Sequence, residues 1–170
     1  MSARLSTAIK IGEAARAILR KTQSFPDQIF DEDEDRSERR HVGVEPMLLA
    51  LSMELALKAW FVFDYDDPKV VKTHNLIKLF DSLTPESQQR LDEEFKRSVA
   101  PVHLGWLYID HSIRDILSHH QDAFTDWRYL HEAKKTMMFN HSAFEATLEM
   151  VLHEFGKRYR TEPVTPLSTF

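Results

Sequence analysis

Residues 47–63 read Met-Leu-Leu-Ala-Leu-Ser-Met-Glu-Leu-Ala-Leu-Lys-Ala-Trp-Phe-Val-Phe. No other stretch of the chain constrains the fold as strongly. A helix built from it has no polar side to turn toward water, so other elements must surround it. Its three interruptions, Ser52, Glu54 and Lys58, fall in the middle. A charge at a bilayer centre costs about 2.5–3.5 kcal/mol, so the tract reads as the central helix of a soluble bundle rather than a membrane span. The first five residues carry no long apolar run of the secretory kind. The expected location is cytoplasmic.

Turn chemistry points the same way. The chain has 170 residues, the size of one ordinary domain, but only 4 Gly, too few for the tight turns of an all-β fold. The fold class expected is therefore all-α. With no Cys, disulfides, thiolate metal sites and cysteine nucleophiles are excluded. The net charge of −5 argues against coating nucleic acid by general electrostatics, while leaving room for a local basic cleft.

Helical periodicity and capping residues divide the chain. A first helix is expected over 2–21, with Leu5, Ala8, Ile9, Gly12, Ala15, Ile18 and Leu19 on one side. Residues 23–43 read as an irregular stretch holding the charged run 31–36. Helices follow over 45–64, 73–82 and 84–97, the last with Thr84 as cap and Pro85 at its first position. Residues 108–132 contain no Gly or Pro and are expected to form one long helix, with a bend near His119-His120 as the alternative. A last helix is expected over 140–158, giving a single domain over 1–160 and a loose tail over 161–170. Leu51, Leu55, Phe80, Trp127, Leu148 and Leu152 are expected in the core.

Two charged pairs sit at helical spacing on these apolar segments. Glu54 and Lys58 are four apart, with Glu first, the favourable polarity. Arg128 and Glu132 repeat the spacing. Charges out of water must be paired, so these four are expected to meet in one network with His74 at its edge. Such a network fixes how helices dock; Lys58, His74 and Arg128 could also hold a phosphate. His111, Asp115 and His119 are spaced to share a helical face, but such facets are usually solvated, and neither a metal nor a cofactor is expected.

Three tracts resemble the HEPN family of small helical domains. Residues 49–59 are similar to its S-x-E-x-x-L-K helix, through Ser52, Glu54, Leu57 and Lys58. Residues 72–80 are similar to its H-[DN]-L-x-x-L-[FY] segment, through His74, Asn75, Leu76, Leu79 and Phe80. Residues 123–132 are similar to a W-R-Y-x-x-E helix of one branch, through Trp127, Arg128, Tyr129 and Glu132. The resemblance implies an antiparallel four- to five-helix up-and-down bundle that often forms a homodimer. It also implies either of two functions. One is RNA or nucleotide binding, including metal-independent RNA cleavage in toxin–antitoxin or phage-defence systems. The other is a non-catalytic interaction module serving a partner enzyme or antitoxin.

Ribonuclease members of that family carry R-x(4–6)-H. Here Arg114 is followed by His119 with four residues between and by His120 with five, and Asp115 is the polar neighbour. Arg36 with His41 and Arg97 with His103 match the same spacing in less suitable places. A histidine near neutral pKa can exchange a proton with an RNA 2′-hydroxyl or its leaving oxygen, and an arginine steadies the phosphorane-like charge. Arg114, His119 and His120 are thus the catalytic candidates. Five residues on a regular helix amount to roughly 140° of rotation, so Arg114 and His119 would not share a face.

Overall fold

The computed structural model describes residues 3–25, 43–67, 69–103, 111–132 and 138–159. Among these residues there is helix and no strand: α1 (Ala3–Thr22), α2 (Val44–Tyr65), α3 (Leu76–Asp81), α4 (Pro85–Ser98), α5 (Ala100–His103), α6 (Ile113–His119), α7 (Ala123–Arg128) and α8 (His141–Tyr159). A 3₁₀ turn at Leu130–Glu132 follows α7. The charged run 31–36, the tail 161–170 and the pair Arg36/His41 lie outside the described residues.

The molecule is a helical bundle arranged around α2. By length and composition α2 could cross a membrane, yet here its surface is covered by α1, α3, α7 and α8. Leu49, Met53, Leu57 and Trp60 are buried on it, and they meet Leu79, Leu91, Phe95, Phe144, Leu148 and Phe155 in one core. The α2 helix starts at Gly43, whose φ of 95° suits only glycine, and a Cβ there would stand 3.0 Å from Leu130 Cδ2. Phe80, Leu148 and Leu152 are buried as expected, whereas Leu51, Leu55 and Trp127 are only partly covered.

Local chemistry explains the ends. Thr84 caps α4 by accepting the Ser87 N–H at 3.3 Å, with Pro85 at the first helical position. Asn75 caps α3 by accepting the Lys78 N–H at 2.9 Å, so the third helix begins three residues later than the expected 73. The expected long helix over 108–132 is corrected most. Its described part is broken into α6, α7 and the 3₁₀ turn. A capping box between Ser112 and Asp115 starts α6 at Ile113. The chain then turns at His120, whose side chain is buried between Phe139 and Phe144 rather than left on a helix surface.

The crossing of α1 with α2 and α8 relies on small residues. Ala8 and Ala15 are fully buried, and Ser52 donates its hydroxyl to the Ala15 carbonyl at 2.7 Å. A Cβ on Gly12 would stand 2.8 Å from Phe155 Cε1, inside any real contact, and that ring is itself buried in the core. On Gly156 a Cβ would stand 2.7 Å from Arg16 Nη2, which donates to the Leu152 carbonyl at 2.7 Å. Gly12→Ala therefore sets a helix-propensity gain of about 1 kcal/mol against overpacking of about 1–3 kcal/mol. Because the clashing atom belongs to a trapped ring, overpacking wins. Urea unfolding should show Gly12→Ala less stable, by up to about 2 kcal/mol.

Candidate functional site

Glu54 lies on the buried side of α2, its side chain 4% exposed. Both its oxygens are engaged. Lys58 Nζ donates to Oε1 at 2.5 Å from one turn along the helix. His74, in the stretch before α3, places Nδ1 2.9 Å from Oε2. A carboxylate only accepts, so Nδ1 carries a proton, and in the neutral ring Nε2 is the nitrogen with the lone pair. The His74 ring rests on Phe124 of α7, centroids 4.7 Å apart, while its side chain stays 52% exposed. A buried acid thus holds an imidazole that reaches water.

The loop bearing His74 is tied to the α6–α7 turn. Leu76 N–H donates to the Gln121 carbonyl at 2.9 Å, and Asn75 Nδ2 donates to Asp122 Oδ1 at 2.9 Å. His74 and the His119–His120 pair therefore belong to one end of the bundle.

On α6, Arg114 extends across to α3 and grips Asp81 with two donors, Nε at 3.2 Å and Nη2 at 2.7 Å. Asp81 raises the pKa of that guanidinium further, through the hydrogen bond first and its charge second. Both groups are exposed, so solvent screens the pair and it holds only weakly. Asp115 is committed to the cap: the Ser112 N–H and hydroxyl, at 2.8 and 2.9 Å, hold its carboxyl below the usual range. His119 is exposed with Nδ1 2.7 Å from the Asp115 carbonyl, which again fixes a proton on Nδ1 and leaves Nε2 uncommitted.

His120 has a different job from the catalytic one its spacing offered. The Asn140 N–H donates to its Nε2 at 3.0 Å, and its Nδ1 donates to the Ile116 carbonyl at 2.8 Å. Both nitrogens are occupied in a neutral ring, and burial pushes its pKa down. The imidazole pins the start of α8 to the end of α6.

The expected four-residue charged network is not what forms around Glu54. Arg128 is exposed, its guanidinium 5.5 Å from the Tyr129 ring centroid, and Glu132 is exposed on the 3₁₀ turn. Because α7 ends at Arg128, the four-residue helical register toward Glu132 is lost. Among the described residues no group of three or more His, Asp or Glu is placed to hold a metal; His111 precedes the first turn of α6 with Nδ1 3.8 Å from Asp115 Oδ2, while His119 turns its Nδ1 to the Asp115 backbone carbonyl.

Two networks were missed from the sequence. Asp64, on the last turn of α2 and 1% exposed, pairs with Arg158 of α8 and accepts the Ser87 hydroxyl at 2.9 Å. The Arg158 guanidinium lies 4.4 Å from the Phe63 ring centroid and 4.9 Å from that of Trp60. Glu154 joins Arg90 of α4, at 3.0 and 2.9 Å, and Lys157, at 2.5 Å. Burial pushes the Glu154 carboxyl up, but these two cations outweigh it and hold it lowered. An acid at the end of an apolar helix was the available signal for Asp64.

No protein-family model matches the chain, and neither curated proteins nor solved structures give a match.

Two outcomes follow. The unfolded chain binds a proton to His120 more readily than the folded one does. Its contribution is therefore complete above the ordinary histidine pKa of 6.5 and is lost as pH falls below it. His120→Leu should flatten that part of the stability–pH curve measured by urea titration, while lowering stability because the Asn140 N–H loses its acceptor. Asp64→Ala should cost about 3 kcal/mol, at the low end for a broken buried pair because Arg158 retains 23% exposure.

Proposed function

We propose that this chain is a HEPN-type domain, an antiparallel four- to five-helix up-and-down bundle, that engages RNA or a nucleotide through its phosphate and cleaves RNA without a metal ion. The observation that carries the reading is the pair of exposed imidazoles at one end of the bundle. His74 and His119 each have Nδ1 committed to an acceptor, which leaves Nε2 for a proton or a phosphate oxygen. Arg114 stands on the same helix as His119, held only by an exposed carboxylate that a phosphodiester could displace. In this reading the protein works in the cytoplasm, in a defence or toxin–antitoxin setting, as a homodimer whose two copies both bring positive side chains to a cleft at their interface, although each chain carries a net charge of −5.

A second reading, a non-catalytic helical module that dimerises or serves a partner protein, draws support from the same contacts. Arg114 is paired with Asp81 and His120 is used by the fold, so the R-x(4–6)-H spacing can also be coincidental. RNA cleavage in EDTA separates the two. The purified protein should cut single-stranded RNA with the chelator present and leave a 2′,3′-cyclic phosphate. His119→Ala should lower the rate by roughly 10²–10⁴-fold with an unchanged melting curve, since an exposed side chain contributes little to stability. No cleavage by the wild type would favour the non-catalytic module, and full activity in His119→Ala would make the motif coincidental.

A further inference from the structure

We infer that Glu54 and His74 form a proton-transfer dyad, with His74 the general base that starts RNA cleavage and Glu54 its positioning residue. The inference rests on the phosphate-processing reading above. It moves the initiating chemistry away from the R-x(4–6)-H stretch to a residue outside that motif.

The geometry has the parts such a dyad needs. A general base requires a nitrogen lone pair facing solvent and a ring that cannot swing away. The buried carboxylate of Glu54 holds Nδ1–H at 2.9 Å, Phe124 supports one ring face at a centroid distance of 4.7 Å, and the side chain is 52% exposed. The carboxylate is itself fixed by Lys58 at 2.5 Å and cannot turn to another partner. When His74 takes a proton at Nε2, the adjacent carboxylate stabilises the imidazolium through the Nδ1–H bond, as the orienting acid does in a hydrolase triad. A purely structural ion pair does not need a half-exposed ring. Fixing α3 to α2 would be served as well by a buried group, as His120 serves the α6–α8 junction with both nitrogens used.

The step balances without a co-reactant. His74 Nε2 removes the proton from a ribose 2′-hydroxyl, and that oxygen forms a bond to the adjacent phosphorus. The bond from phosphorus to the 5′-oxygen of the next nucleotide breaks, and that oxygen takes a proton from protonated His119. The products are a 2′,3′-cyclic phosphate and a 5′-hydroxyl, with one proton moved from His119 to His74 and reset through solvent.

The test uses the full chain, a labelled single-stranded RNA of mixed sequence, EDTA, and the variants His74→Gly, Glu54→Gln and His153→Ala. His153 is exposed on α8 and belongs to none of these contacts. The wild type and His153→Ala should cut equally. His74→Gly should lose at least roughly 100-fold and regain activity when free imidazole is added, a rescue that a merely structural histidine would not show. Glu54→Gln should lower kcat with KM nearly unchanged, and melting curves confirm that the variants are folded. Cleavage by the wild type together with full activity in His74→Gly, or a loss that imidazole does not restore, overturns the dyad while leaving the phosphate reading in place. No cleavage by the wild type overturns both.

Discussion

Glu54 and Asp64 sit ten residues apart on the one helix that the rest of the molecule encloses, with side chains 4% and 1% exposed. A carboxylate out of water costs several kcal/mol unless cations and donors meet it in good geometry. The partners come from different parts of the chain: Lys58 on α2 itself, His74 from the stretch before α3, Ser87 and Thr84 from the start of α4, and Arg158 from α8. The α2 helix can be enclosed only if those elements dock in one register. Buried ion pairs add little net stability over well-packed apolar groups, so registry is what these two acids supply. The apolar core supplies the strength, through side chains such as Trp60, Phe95, Phe144 and Phe155 that leave essentially no surface in water.

The two acids do different work because their surroundings differ. Around Asp64 every polar atom closes inward: hydroxyls of Thr84 and Ser87, and a guanidinium spread over two aromatic rings. Around Glu54 the chain of contacts opens outward and ends on an imidazole in water. The last turn of α2 is locked and its middle presents chemistry. The histidines divide in the same way, His120 with both nitrogens consumed and His74 and His119 with one nitrogen each left over.

Much of the helical layout was legible in the sequence, since α1, α2, α4 and α8 begin and end within a residue of where caps, prolines and apolar spacing put them. The unbroken helix expected over 108–132 fails for a physical reason, while the alternative of a bend near His119-His120 falls where the chain turns. Local propensity sees no Gly or Pro and continues the helix, whereas burial of His120 under Phe139 and Phe144 turns the chain, a tertiary gain that local pattern does not encode. The Ser112-x-x-Asp115 capping box was readable and marks where α6 starts. In the site, the Glu54–Lys58 pair followed from spacing alone, and His74 was expected at its edge. The Asp64–Arg158 pair spans 94 residues and has no local signature. Placing Arg128 and Glu132 in the core failed because the helix they were assumed to share stops at Arg128.

The account turns on a buried acid choosing which nitrogen of an exposed histidine carries the proton. Long-range proton–nitrogen NMR of the imidazole side chains reads that choice directly at neutral pH. His74 should be found with its proton on Nδ1 and a bare Nε2, and should move toward the ordinary mixture dominated by the Nε2–H form when Glu54 is replaced by Ala. A His74 that carries its proton on Nε2 in the intact protein, or whose tautomer is indifferent to Glu54, would contradict the account.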